Sequence, residues 1–349
     1  MRYREITARD VPDCVRLMKA YGGLALSARV WRGLPALWST LCTSTAPNPM
    51  MLVEDAEGEG HPLVCVVPGH FVRPVFIARY HDFPRPYLLG AIYEAMLDGA
   101  VPLMSLDDVR ASNSGDGLHA VISQPAHAPW PRSDPRLERL RRVAALGFIH
   151  FFGGYRIRSL HYEAYGDDAA AFLRAGGFRL EHDFPSSERT AGCDPVRLPR
   201  MFVKYRDEVE PGAIDVMAAH IFHFAEPRLG LTPGEQRVVL RALQGESDRR
   251  IAEALHLSIE TVRSAWDSVY GRIARVVSAV FEDDTVEHAG RGAEKRRLAV
   301  EYLRQHMHEL RPHRWGERPT LRSPECREAT SQRSASVDLQ RIEGAIGGQ

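Results

Sequence analysis

The chain has no excess of charge: 45 Lys and Arg stand against 45 Asp and Glu over 349 residues. That balance excludes a polyanion-binding surface spread over the whole molecule and confines any nucleic-acid contact to a small basic face. No run of 18 or more apolar residues occurs, so no membrane span and no membrane partner are expected. The first residues, "MRYREITARDVPDC", carry charges every few positions and lack the apolar centre of a secretory signal. Cysteine is scarce. Cys14, Cys42, Cys65, Cys193 and Cys326 are odd in number and far apart, with no C-x-x-C pair. The pattern points away from a disulfide or zinc framework and toward reduced thiols in a cytoplasmic protein. No repeat of fixed period is present, which excludes a solenoid.

Hydrophobic residues make up 44% of the chain, enough to bury a sizeable core, and the length suits about two domains. Composition divides it further. Residues 1–210 mix short apolar runs with Pro and Gly and read as an α/β (α+β) domain with a mixed central sheet. Residues 211–228 read as a linker helix, and 229–310 as an all-α domain. Residues 311–349 are Arg/Ser-rich, with few large aliphatics, and read as a disordered tail.

Within the first domain, "MRYREITARDVPDCVRLMKAY" predicts a strand at Tyr3–Ile6, a turn at Thr7–Asp10 and an amphipathic helix through Val11, Val15, Leu17 and Met18. "MMLVEDAEGEGHPLVCVVPGHFV" predicts two strands joined by a polar loop, and "GLHAVISQP" another strand. In "DPRLERLRRVAALGFIHFFGGY", Asp134 is placed to cap a helix that begins at Pro135 and stops at Gly153 and Gly154. The spacing of Phe148, Phe151, Phe152 and Tyr155 predicts a packed helix face. "RIRSLHYEAY" alternates like a strand, and "GDDAAAFLRAGGF" reads as a helix closed by glycines. Strands and helices in this alternation indicate a central sheet.

The segment "LTPGEQRVVLRALQGESDRRIAEALHLSIETVRSAWDSVYGRIARVV" is dense in helix signals. Thr232, Pro233 and Glu235 form a capping-box pattern, with Val238, Val239, Leu240 and Leu243 as the apolar stripe. Ser247 and Ser258 cap two further helices separated by only His256 and Leu257, so the two cross steeply. Val262, Trp266, Val269 and Ile273 turn inward, which leaves Thr261, Arg263 and Ser264 on the outer face. There a helix can meet base edges and phosphates in a major groove, with Arg249, Arg250 and Arg272 near enough in sequence to reach phosphate. "AEKRRLAVEYLRQHMHEL" offers a last, long helix.

Leu231 to Ile273 resembles the LuxR/FixJ-type (GerE-like) transcriptional regulators. The matching positions are Leu231, Thr232, Glu235, Gly245, Ile251, Ala252, Leu255, Ser258, Thr261, Val262 and Arg263. The resemblance implies a four-helix DNA-binding domain whose third helix reads double-stranded DNA, usually as a homodimer. The expected DNA-binding residues are Arg249, Arg250, Ser258, Thr261, Arg263, Ser264 and Arg272. Six arginines (237, 241, 249, 250, 263, 272) meet six acids (235, 246, 248, 253, 260, 267) in this stretch. A module used only for packing or dimerisation is therefore the alternative.

At the other end, "YREITARDVPDCVRLM" and "DDAAAFLRAGGFRL" resemble the first and late elements of the GNAT acetyltransferase fold. The glycine-rich turn that would cradle a pyrophosphate is replaced by "PAHAPWPRSDPRLERL", so a GNAT-like shell without the activity is expected. His161 and Glu163 share a strand face, and His119 and His127 lie in "HAVISQPAHAP"; each reads as an ordinary histidine rather than a metal ligand or base. No catalytic residue, cofactor or metal is assigned. The sequence thus predicts a DNA-binding transcription regulator that is not an enzyme, with an N-terminal domain sensing an unidentified small-molecule or protein effector. The alternative is an acetyl-CoA-dependent N-acyltransferase with an appended DNA-binding module.

Overall fold

Helices pack against two sheets, of four and five strands, in the computed structural model, which describes residues 1–22, 26–58, 60–131, 133–184, 199–209, 220–277 and 291–314. The strands are β1 (Arg2–Glu5), β2 (Met51–Glu54), β3 (Leu63–Val67), β4 (Gly69–Val72), β5 (Leu118–Ser123), β6 (Ala126–His127), β7 (Ile157–Tyr165), β8 (Arg179–Asp183) and β9 (Pro199–Tyr205). They pair in the order β1-β2-β3-β6 and β4-β5-β7-β9-β8. Pro68 cannot donate to a ladder, and here it divides β3 from β4. The strand line of β5 and β6 crosses between the two halves in the same place. All pairings are antiparallel except β5 with β7, which run parallel from Leu118↔Ile157 to Ser123↔Glu163.

The predicted α/β architecture with a mixed sheet is what the chain adopts. One face of the sheet is packed by α1 (Val11–Tyr21), α2 (Ala28–Thr43), α3 (Pro74–Asp82) and α4 (Leu88–Leu97). The other is packed by α5 (Leu106–Ser114), α6 (Pro135–Phe152) and α7 (Asp167–Ala175). The first strand sits one residue earlier than expected. Helices α3 to α5, inserted between β4 and β5, were not foreseen: their apolar runs are short and interrupted by Pro84, Pro86 and Pro102. Asp134 caps α6 by accepting from Arg136 N, with Pro135 in the first turn as read. Phe148, Phe152 and Tyr155 are buried, whereas Phe151 lies at the side against Tyr3.

Beneath α2 and α4 a polar trio is sealed in the core. Trp38 Nε1 donates to Tyr93 Oη at 2.9 Å, and Tyr93 Oη lies 2.9 Å from His70 Nε2. The phenol therefore donates onward to a histidine that burial drives down to about 3 and so keeps neutral. Tyr93→Phe is expected to cost about 1–3 kcal/mol by orphaning both partners. Urea denaturation measures it, and a loss under about 0.5 kcal/mol would contradict the bonding.

The helical unit comprises α8 (Pro233–Leu243), α9 (Asp248–Leu255), α10 (Ile259–Val276) and α11 (Arg291–Gln305). The capping box of Thr232 and Glu235 and the caps at Ser247 and Ser258 all form. Val238, Val239, Ile251, Val262, Trp266, Val269, Ile273, Ala299 and Leu303 make its core. Of the expected linker helix, residues 211–219 fall outside the described residues and only 220–222 are helical.

The expected tail boundary at 311 is corrected. Arg311 is only 4% exposed, and it donates to Gly153 O at 2.9 Å and to His150 O, with its guanidinium 4.5 Å from the Tyr155 ring. Asn113 donates to Pro312 O at 2.9 Å and Glu309 accepts from Arg228 N and Leu229 N, which ties the segment 307–312 to both units. Gly154 makes the junction possible. Its φ is +80°, and a Cβ there would lie 2.4 Å from His308 N. Residues 315–349 lie outside the described residues. No described helix is long and apolar enough to cross a membrane. Cys14, Cys42 and Cys65 are free, and Cys193 and Cys326 lie outside the described residues.

Candidate active site

Alternation along β7 places Ser159, His161, Glu163 and Tyr165 on one face, the face covered by the inserted α3 and α4. Ser159, His161 and Glu163 are each no more than 1% exposed. A buried row of polar side chains is costly unless each finds partners, so their partners define what the row can do.

Glu163 sits where β5 and β7 part. Their ladder ends at Ser123↔Glu163 and Gln124 N→Glu163 O, after which β6 leaves to pair with β3. The Gln124 side chain spans the opening. Its Oε1 accepts from Tyr165 N at 2.7 Å and its Nε2 donates to Tyr21 Oη at 2.7 Å. The Glu163 carboxylate turns toward the start of α4 and accepts from Leu88 N and from Leu89 N, the latter at 3.2 Å. Burial pushes its carboxyl up to about 7 against those two bonds, which favour the charged form. A carboxyl that exchanges its proton near neutrality can act as a general base or acid.

Toward the other end of β7, His119 Nδ1 lies 2.6 Å from Ser159 Oγ, and Ser159 Oγ lies 3.0 Å from His161 Nε2. His161 Nδ1 faces Glu181 Oε2 at 3.7 Å, and Glu181 Oε1 lies 3.1 Å from His81 Nδ1 on α3. Glu181 is the unpaired residue of a bulge in β8, between Leu180↔Phe202 and His182↔Met201. Burial works to raise the Glu181 carboxyl, but the facing His161 and the surrounding histidine charges bring it below the ordinary carboxylate range. Burial lowers His161, and it drives His119 down to about 4.

The structure thus joins His161 to His119 through Ser159, and it separates His161 from Glu163. His127 stands apart, with Nδ1 at 2.7 Å from Ala128 O and its ring 5.1 Å from Tyr21. Gln124, Ser159, His81 and Glu181 were missed. Only Ser159 had a legible signal, the period-two pattern it shares with His161 and Glu163.

The expected DNA-binding residues are distributed as follows. Ser258, Thr261, Arg263 and Ser264 are exposed at the start of α10, and Ser258 Oγ is spent on Thr261 N and Thr261 Oγ1. Arg249 and Arg250 are exposed on α9, with Arg249 bound to Glu253 at 3.2 Å. Arg272 turns inward, donating to Glu235 and to Leu229 O and Gly230 O. Among these residues Arg272 holds the helical unit together.

The start of α6, which in the sequence stands in place of the glycine-rich turn implied by the GNAT resemblance, is occupied. Asp134 takes the helix N-terminus, Arg136 closes over it at 2.7 Å, and the Trp130 ring lies 4.5 Å from that guanidinium. A carboxylate already in the anion position repels a phosphate, so these residues do not fit one.

No family model and no curated protein matches the chain. Solved structures do. A histone acetyltransferase HPA2-related acetyltransferase from Corynebacterium glutamicum is 14% identical, with a TM-score of 0.33, covering 61% of this chain and 98% of its own. A Drosophila melanogaster polyamine N-acetyltransferase is 10% identical, with a TM-score of 0.33, covering 58% and 98%. Arylalkylamine N-acetyltransferase 2 from Aedes aegypti is 10% identical, with a TM-score of 0.35, again covering 58% and 98%. Such likenesses concern the fold and carry no activity over to this chain. The expectation of a non-enzymatic DNA-binding regulator is corrected: these three solved structures are acetyltransferases, and Arg272, expected at phosphate, is committed inside the helical unit. What the chain has is an α/β fold with a mixed sheet, followed by a helical unit.

Proposed function

We propose that the chain is an N-acyltransferase whose chemistry centres on Glu163. The observation that carries the reading is a sealed carboxyl, brought to about 7, at the point where the two parallel strands part. Acyl transfer to an amine forms a C–N bond as the thioester C–S bond breaks; Glu163 would accept the proton lost by the attacking nitrogen, and the departing thiolate takes up a proton from solvent. Gln124 Oε1, accepting from Tyr165 N, bridges the two segments at that point. No donor phosphate is assigned to the start of α6, because Asp134 holds that place.

The test offers the full chain acetyl-CoA, or a short acetyl thioester without the nucleotide, together with a panel of primary amines and diamines. Acyl transfer from both donors is expected, because no phosphate cradle favours the larger. Absence of transfer from either donor, together with no rise in melting temperature at millimolar acetyl-CoA, would overturn the reading.

A further inference from the structure

The second polar cluster, away from the strand parting, has a feature that hydrogen bonding leaves unexplained. His161 Nδ1 and Glu181 Oε2 are buried, neither has a hydrogen-bond partner, and they face one another at 3.7 Å. That separation is too long for a hydrogen bond. On its other side His161 Nε2 meets Ser159 Oγ at 3.0 Å, and Ser159 in turn meets His119 Nδ1 at 2.6 Å. If the serine hydroxyl donates to His119, Ser159 must accept from His161 Nε2–H. The His161 Nδ1 lone pair is then aimed at a carboxylate oxygen. In that tautomer two lone pairs point into one buried gap, a place a cation would fill.

We propose that His81, His161 and Glu181 bind a divalent transition-metal ion of the zinc class. One ligand atom from each residue lies within 4.8 Å of the others. An ion about 2.1 Å from both His161 Nδ1 and Glu181 Oε2 spans their 3.7 Å separation at an angle of about 120°, close to tetrahedral. His81 closes the third side from α3. Its side chain is 30% exposed, against 0% for His161 and 11% for Glu181, so the site opens to solvent on one side and leaves a position for water. Two imidazoles and one carboxylate suit zinc and its borderline neighbours better than calcium or magnesium. Ser159 and His119 form the outer shell that orients the His161 ring. The bulge in β8 is what brings Glu181 into place.

The experiment titrates zinc into metal-stripped full-length protein against a chromophoric chelator at neutral pH, with cobalt as a spectroscopic substitute. One tight equivalent is expected, with visible cobalt bands of low coordination number and a rise in melting temperature. His81→Ala and Glu181→Gln should each weaken binding by at least about tenfold, and Ser159→Ala by about tenfold through the lost outer-shell bond. His81 is partly exposed at the edge of α3, and the melting temperature of the metal-free variant checks that it folds. No tight equivalent in the wild type would overturn the proposal. So would unchanged affinity in both His81→Ala and Glu181→Gln, which would place the zinc on scattered surface histidines.

Discussion

Replacing Glu163 by Gln is expected to lower the rate of acyl transfer by about 10²- to 10⁴-fold, the usual range for loss of a positioned base. The amide keeps the size of the side chain but cannot take a proton, and its NH₂ group would confront one of the two backbone donors, Leu88 N or Leu89 N. In the wild type, activity should rise as pH passes through about 7, because only the ionised carboxyl accepts a proton. Stability should move the other way. The folded carboxyl titrates near 7 and the unfolded one near 4.5, so the native state holds the proton more tightly. Its contribution is fully present below about 4.5 and is lost as pH rises through about 7, a change of about 3 kcal/mol at 1.36 kcal/mol per unit. Denaturation at a series of pH values should show this decline in the wild type and not in Glu163→Gln. Unchanged transfer by the variant would remove Glu163 from the chemistry.

Arg311→Ala is expected to cost about 3–5 kcal/mol, through the loss of two hydrogen bonds donated by a charged group at about 1.5–3 kcal/mol each. The guanidinium is buried against Tyr155 and serves the carbonyls of His150 and Gly153, which end α6. Burial pulls its pKa below the ordinary arginine value, with Tyr155 opposing. Removing it leaves two carbonyls unsatisfied and a void beneath the segment that joins the helical unit to the sheet. Arg311→Lys keeps the charge but not the two-pronged geometry, and should recover only part of the loss. Equilibrium denaturation measures both variants. An effect of Arg311→Ala below about 0.5 kcal/mol would show that the junction does not hold the units together.

What could be read from the sequence was local. Asp134, Thr232 with Glu235, Ser247 and Ser258 announced their helices because a cap and the residues it serves lie within three positions of one another. The row on β7 was legible for the same reason, since period two fixes a face. The partners of that row were not legible. Glu181 reaches it through a bulge, His81 through an inserted helix, and Gln124 through a strand that leaves one ladder for another. Each depends on register or long-range packing, which a linear pattern does not specify. Arg272 was assigned to phosphate on nearness in sequence alone, but the capping carboxylate of Glu235, already held by Thr232 N, also binds the guanidinium and draws it in. A motif covering about an eighth of the chain outweighed the larger α/β unit in the reading of function.

The protonation of Glu163 can be observed directly by infrared difference spectroscopy across pH, with Glu163→Gln as the reference that isolates its carboxyl band. The expected result is a protonated carbonyl band that persists through pH 5–6 and gives way to carboxylate near 7. A band that converts near 4.5, as for an ordinary exposed glutamate, would contradict a base poised at the strand parting.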